Sequence, residues 1–426
     1  MPVPAAVPAV QDDEFSRILA ERAVTPVFQP IVSLDDGLTV GFEALIRGPE
    51  GSRFATPDAL FAEAERRGAV VELDWICGSA ACAAALDAGL DVPLFLNVEP
   101  ETFGSSPPPE LADAFAQAAD RLDLVIEVTE RVVRDPASLI RSVVGARRGR
   151  SRIALDDVGV DPASLGMMAL VRPDVIKLDR SLVQGRSAEW AQAFVVNAVL
   201  TEAGRTGAAV LAEGIETSEH LGTARGMGAR LGQGWLFGRP GPLPATVVRS
   251  AFALPRVAEL PSGSVTPFGV VEDRVPIAEV TDQMLVPIGR LLEQMALRTD
   301  DATMFFATVP ERQIDGETRL TFNHIARRGV TVTAYGPELV EPGTGIQAVS
   351  VPAGDPLTAE RVVIVIGSYF AAALVARSHR ATEAVAAAEP TYDIALTYDR
   401  LLVIEAARTL IDRIPPLPHG FGHPRV

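Results

Sequence analysis

Short apolar runs recur along the first half of this chain with helix-length segments between them: Leu124-Val125-Ile126-Glu127-Val128, Ile153-Ala154-Leu155-Asp156, Val175-Ile176-Lys177-Leu178 and Ala209-Val210-Leu211-Ala212-Glu213. Few folds accept that pattern. Strands that are apolar almost throughout need cover on both faces, and helical connections return each strand parallel to the last, which gives a parallel sheet flanked by helices. Upstream, 94–98 adds a strand, and helical patterns cover 57–67, 71–88 and roughly 109–121. Two β-rich runs stand on either side of Asp35-Asp36-Gly37, so the first pair of strands is expected to be an antiparallel hairpin. A short strand before Gly232-Gln233-Gly234 and a helix after Pro240 are expected to complete the set.

Polar residues recur at one place in these units. Asn97, Glu127, Asp156, Asp157, Lys177 and Glu213 each stand at or just past the C-terminal end of an apolar strand. A closed β/α barrel assembles its sites at that end from many strands, whereas an open sheet concentrates them at a switch point. The spread over successive strands favours the barrel. On the second strand of the hairpin, Glu43, Leu45 and Arg47 share a face by the two-residue period. A lone Asp after a strand is more often a turn or cap residue, but a set in register is not explained that way. Lys177 is the only lysine in the chain, the rest of its 38 basic residues being arginine. Lysine offers a compact point charge where arginine offers a planar fork. Carboxylates gathered at one mouth repel each other unless cations intervene, and an Asp/Glu/Asn set without His or Cys suits Mg²⁺ or Mn²⁺, expected here as two ions.

Composition narrows the partners. A net charge of −17 and a pI near 4.8 argue against duplex nucleic acid or an anionic membrane as partner. No run of about 20 apolar residues occurs, and Met1-Pro2-Val3-Pro4 lacks the basic start of a signal peptide. Cys77 and Cys82 read as reduced core residues, and a cytoplasmic location is expected.

Residues 253–275 carry Leu254-Pro255-Arg256 and Pro261-Ser262-Gly263-Ser264 and read as a linker. A second, smaller α/β domain is expected over 276–414. Its helices are expected at 281–297 and near 318–328, its strands at 304–308, 330–335 and 362–367, with two further helices closing it, the last over 398–412. The ends, 1–13 and 415–426, are expected to be disordered, leaving 14–252 as the barrel.

Glu43-Ala44-Leu45 with Arg47, Asn97-Val98-Glu99-Pro100, Glu127-Val128-Thr129-Glu130, Asp156-Asp157, Ile176-Lys177-Leu178-Asp179, Ala212-Glu213-Gly214-Ile215-Glu216 and Gly232-Gln233-Gly234 together resemble the EAL-domain family. The resemblance implies a TIM-like β/α barrel with one antiparallel strand, a two-metal site, hydrolysis of cyclic di-GMP to linear pGpG, and a homodimer through the barrel. It further implies Glu43, Asn97, Glu127, Asp156 and Asp157 as residues of the metal site. Lys177 would position the attacking water or support the leaving charge, Glu213 would be an essential carboxylate, and Gln233 a further catalytic-site residue. Arg47 would bind a substrate phosphate and Gln29 would line the pocket. From spacing alone, Glu130 stands three residues past Glu127, points the other way if the strand continues, and reads as holding a loop. One departure stands out: the family follows its paired aspartates with Phe-Gly-x-Gly, and here Val158-Gly159-Val160-Asp161-Pro162 takes that place. Pro narrows the loop's conformations, so a catalytically degenerate receptor for cyclic di-GMP is the alternative. Phe306–Arg312 and Ala326–Val330 resemble, less specifically, the DICT sensory domain, which implies modulation of the barrel by the C-terminal unit.

Overall fold

The structure, a computed structural model, describes residues 14–99, 102, 105–128, 136–160, 163–185, 189–260, 263–299, 303–310, 314–339, 344–379 and 391–415. The expected disordered ends, apart from Pro415, lie outside these residues, as do Glu130, Asp161, Pro162, Glu311 and Arg312.

Eight strands close into a barrel in chain order: β1 (Thr25–Ser33), β2 (Thr39–Arg47), β3 (Leu94–Asn97), β4 (Leu124–Val128), β5 (Arg152–Val158), β6 (Val175–Leu178), β7 (Ala209–Ala212) and β8 (Leu231–Gln233). The hairpin is present, and β1 runs antiparallel to both β2 and β8 while the remaining neighbours are parallel. Two prolines, Pro26 and Pro30, are tolerated in β1 for a local reason. Phe28 exchanges hydrogen bonds with Gly241 on the side away from β2, and alternate residues share that side. There β8 reaches only Ile31–Ser33, so the missing N–H groups cost no ladder bond.

Inside the barrel the two-residue period sorts the residues into two storeys. Ile31, Phe95, Val125, Ala154, Val175, Leu211 and Leu231 form an apolar cluster, closed below by Leu254. Two residues nearer the mouth on the same strands stand Gln29, Asn97, Glu127, Asp156, Lys177, Glu213 and Gln233. The apolar storey excludes water and fixes the backbone beneath the polar one.

The chain after β8 differs from expectation. No helix follows Pro240; 240–252 is irregular, with bends, and bridges back to Phe28 and Thr39. Pro240, Pro242 and Pro244 each remove a backbone donor, which a helix interior does not tolerate. The stretch expected as a linker is packed: Arg152 Nε donates to the Pro255 carbonyl (3.1 Å), and a short helix, Pro267–Val271, buries Phe268, Val270 and Val271.

The C-terminal unit is a seven-stranded mixed sheet in the order β12-β11-β10-β13-β14-β15-β9. Its strands are β9 (Ala278–Thr281), β10 (Met304–Thr308), β11 (Thr331–Gly336), β12 (Ile346–Ser350), β13 (Glu360–Ile366), β14 (Ala371–Ser378) and β15 (Thr391–Thr397). Helices Asp282–Ala296, Gly316–Arg327 and Arg400–Ile411 pack with it. Of the two closing helices expected, the last forms; among the described residues between β13 and that helix there is strand, and 380–390 lie outside them. Ala371-Ala372-Ala373-Leu374 favours helix locally, but β14 is buried between β13 and β15, and tertiary pairing overrides propensity.

The two units share one apolar cluster, in which Met168, Val199 and Val257 join Val403, Ile404 and Ile411. Polar contacts cross the same boundary: Tyr369 OH donates to the Phe194 carbonyl (3.1 Å), with the two rings edge to face at 5.8 Å, and Arg400 pairs with Glu202 at 3.6 Å.

Candidate functional site at the barrel mouth

Lys177 is 1% exposed and stands at the centre of the polar storey. Its ammonium lies 2.8 Å from Glu127, 2.9 Å from Asp156, 2.8 Å from Glu213 and 3.8 Å from Glu43. Three close carboxylates match the three donors of an ammonium. The remaining expected residues are tied in through Glu43. Asn97 Nδ2 donates to its Oε1 at 3.0 Å, and Gln233 Nε2 donates to its Oε2 at 2.5 Å and to Gln29 Oε1 at 3.2 Å. Gln29 in turn donates to the Gly238 carbonyl.

Electrostatics show an excess of negative charge. Burial disfavours the charged lysine, but Asp156, Glu127, Glu213 and Glu43 together outweigh it and push its pKa well above the ordinary value. Burial, reinforced by Glu43, pushes Glu127 well up despite Lys177. Glu213 is raised to about 8, again first by burial, against the pull of Lys177. Glu43 goes the other way: burial would raise it, but Lys177 and the hydrogen bonds from Gln233 and Asn97 hold it low. One ammonium does not neutralise this set.

Three of the acids approach closely enough to hold an ion: one oxygen each from Asp156, Asp157 and Glu213 lie within 4.8 Å of one another. Glu127 is fully buried, and its Oε2 has no hydrogen-bond partner among the described residues. An all-oxygen donor set with an unanswered buried carboxylate oxygen fits a hard divalent cation. The residues therefore suit the expected Mg²⁺ or Mn²⁺. Asp157 reaches the group through a bulge. The β5–β6 register shifts between Leu155 and Val158, Asp157 has φ 53°, and its N–H bonds Asp156 Oδ1 at 3.0 Å. A non-glycine residue in the left-handed region is costly and re-aims the chain at the end of a strand.

The loop that departs from the family pattern begins in the core. Val158 is buried, and Gly159 (φ 111°) is pressed against the next layer: a Cβ there would come within 2.5 Å of Leu182 and 3.2 Å of Val195. At the opposite edge, Gly234 lies so near Ile215 that a Cβ would sit 2.2 Å from its carbonyl oxygen, which accounts for the glycine beside Gln233. Beside Glu43 and Asn97 the mouth opens into a cleft of about 560 Å³ lined in part by Leu45, Phe61 and Glu99.

Some expected residues are not joined to the cluster. Arg47, partly buried at the end of β2, donates to the Ile46 carbonyl at 2.8 Å. Glu216, named in the sequence only as part of a motif, accepts from Gln184 at 3.4 Å. Sequence reasoning missed Asp74, whose Oδ2 accepts the Glu99 N–H (3.0 Å) and so holds the chain just after Asn97. Its signal was a carboxylate on the buried face of helix Val70–Asp87. It also missed Asp179 as the cap of helix Arg180–Val183, accepting from Ser181 N at 2.8 Å.

Among known proteins, residues 12–240 match the EAL domain. The chain is 30% identical over 236 residues to the protein y4lL of Sinorhizobium fredii, covering 54% of this chain and 28% of that one. It is 29% identical over 225 residues to the cyclic di-GMP phosphodiesterase RocR of Pseudomonas aeruginosa, covering 50% and 57% respectively. The chain thus spans less than two thirds of the length of either relative. A solved manganese and cyclic di-GMP complex of Klebsiella pneumoniae BlrP1 aligns at 29% identity with a TM-score of 0.45, covering 51% of this chain and 56% of that one. With the family match extending over more than half of its residues, the chain belongs to the EAL domain family.

Proposed function

We propose that the barrel hydrolyses cyclic di-GMP to linear pGpG. The observation that carries this reading is the buried Lys177 ammonium within 2.9 Å of Glu127, Asp156 and Glu213, in a mouth that holds more carboxylate than one cation balances. RocR, a family relative, is named as a cyclic di-GMP phosphodiesterase. Divalent ions held by Glu43, Asn97, Glu127, Asp156 and Asp157 would supply electrostatic stabilisation of the phosphoryl oxygens and a lowered pKa for bound water.

The chain's own residues then divide the work. Lys177 supplies fixed positive charge beside the reacting phosphate and holds Glu127, Asp156 and Glu213 in one orientation. Glu213, the most exposed of the three, is the carboxylate placed to take the proton of the attacking water. A bond from water oxygen to phosphorus forms, one phosphorus–ribose oxygen bond breaks, and the released ribose oxygen ends protonated. Gln233 and Asn97 fix Glu43 through its two oxygens. Arg47 binds a substrate phosphate and Gln29 borders the pocket. Glu130 anchors the neighbouring loop.

A second reading, a cyclic di-GMP receptor without turnover, is favoured by Val158 in the place of an aromatic. The C-terminal sheet, read as a DICT-like sensory unit, would modulate either activity, in a cytoplasmic homodimer paired through the barrels. Turnover by the full chain with Mg²⁺, with Mn²⁺ and with chelator decides between the readings. Metal-dependent release of the linear dinucleotide, lost in Lys177→Arg, is expected; tight binding with no product would leave the receptor. Light scattering that finds a monomer at all concentrations would overturn the dimer.

A further inference from the structure

A second cleft, of about 410 Å³, lies at the seam between the barrel and the C-terminal unit. Arg147 and Arg148 reach it from the end of helix Pro136–Arg148, Arg172 from the residue after helix Ala163–Val171, and Arg408 from helix Arg400–Ile411; Glu259 and Asp412 complete its polar wall. On a chain of net charge −17 this wall carries four guanidinium groups against two carboxylates.

Two of the arginines are in use. Arg147 donates to the carbonyls of Val257 (2.9 Å) and Arg172 (2.5 Å) and lies 3.7 Å from the Asp174 carboxylate, and Arg408 donates to the Leu170 carbonyl, although its Nε, like that of Arg172, is buried without a hydrogen-bond partner among the described residues. Arg172 is different. It is 8% exposed, its Nε is buried without a hydrogen-bond partner, and its side chain makes no ion pair or hydrogen bond among the described residues. Glu202 acts on it from beyond ion-pair distance and is itself shared by Arg205 and Arg400. A buried charge without a partner is expensive. The backbone adds to the cost, since Arg172 closes its helix at φ 51°, where glycine would be free of strain. Crowding of like charge is visible on Arg408, which burial, then Arg147 and Arg172, pull down to about 10.

We propose that this cleft binds a phosphorylated small molecule, with Arg172 gripping the phosphoryl oxygens from inside and the exposed Arg148 from the rim. A planar fork of donors matches phosphoryl oxygens two at a time, and the volume falls within the few hundred Å³ of small-molecule sites. Because Arg172 belongs to the barrel and Arg408 to the last helix, the ligand draws the two units together. This site does not depend on the activity at the mouth.

Calorimetric titration of the full chain, in chelator and at low salt, with pyrophosphate, GMP and malonate tests the proposal. One of the two phosphorylated probes is expected to bind at least tenfold more tightly than malonate. Arg172→Met is expected to weaken that binding more than tenfold while leaving the ligand-free melting midpoint unchanged or higher, as removal of an unpartnered charge predicts. Arg148→Glu, an exposed change that leaves folding intact, is expected to abolish it. Failure of both phosphorylated probes to bind at about 10 mM, equal binding of malonate, or unaltered binding in Arg148→Glu would each overturn the proposal.

Discussion

The barrel mouth and the seam are both buried ionic sites, and they are built with opposite sign. At the mouth one ammonium is shared among four carboxylates, and the surplus is negative. Guanidinium groups crowd the seam instead, where backbone carbonyls answer Arg147 and Arg408, Asp174 stands 3.7 Å from Arg147, and no hydrogen bond or ion pair among the described residues answers Arg172. Buried charge has to be compensated. The sign left over at each place is what the two proposals rest on, a cation at one and an anion at the other.

This contrast is tested most severely at Lys177. Lys177→Met strips four carboxylates of their cation. Turnover should fall by about 10²–10³-fold, the scale for removing a fixed electrostatic group. Urea denaturation in chelator should show a loss of about 3–5 kcal/mol, the cost of breaking a buried charge network from one side. A variant that keeps a tenth of the wild-type turnover would mean that the mouth's charge balance is not set by this lysine.

Next in size is Asp174, the buried acid behind the seam, which accepts from Ile153 N at 2.8 Å and Val257 N at 2.5 Å and lies 3.7 Å from Arg147. Asp174→Ala should cost about 3 kcal/mol by chemical denaturation, since two hydrogen bonds to a charged group are lost. A cost below about 1 kcal/mol would say that the packed 253–257 segment holds without its anchor. Third, saturating Mn²⁺ should stabilise the full chain by about 2–3 kcal/mol at a hundredfold excess over its dissociation constant. Glu127→Gln, which neutralises a mouth carboxylate, should reduce that gain in a thermal melt. Smallest, Arg249→Ala removes an ion pair of 3.1 Å whose partners are both more than half exposed. It should move stability by less than about 0.5 kcal/mol; a larger loss would show that exposed pairs matter as much here as buried ones.

The mouth was legible because its signal is periodic. Each polar residue follows an apolar one by two positions on its own strand, so Asn97, Glu127, Asp156 and Lys177 could be placed together from spacing alone. The seam was not legible, because Arg147, Arg172 and Arg408 come from three separate segments and only the packing of the last helix assembles them. Asp174, after Pro173, looks in sequence like any turn aspartate. β14 was hidden by its alanines, whose local preference for helix is weaker than the pairing available on both of its edges. The prolines after Gly238, by contrast, were readable, and their donor count alone argues against the helix expected there.

Gly159 has a mechanical consequence. The loop leaving the paired aspartates is wedged against Val195, and the preceding residue on that helix, Phe194, is clasped by Tyr369 from the connection between β13 and β14. Consecutive residues on one helix turn as a rigid body, so any roll of helix Glu189–Thr206 that opens the ring contact also shifts the surface on which the glycine rests. Helix Glu189–Thr206 thus touches both units within two residues, the turn after Asp156–Asp157 through Val195 and the C-terminal unit through Phe194, and the missing Cβ is what allows the first of these contacts to be so close.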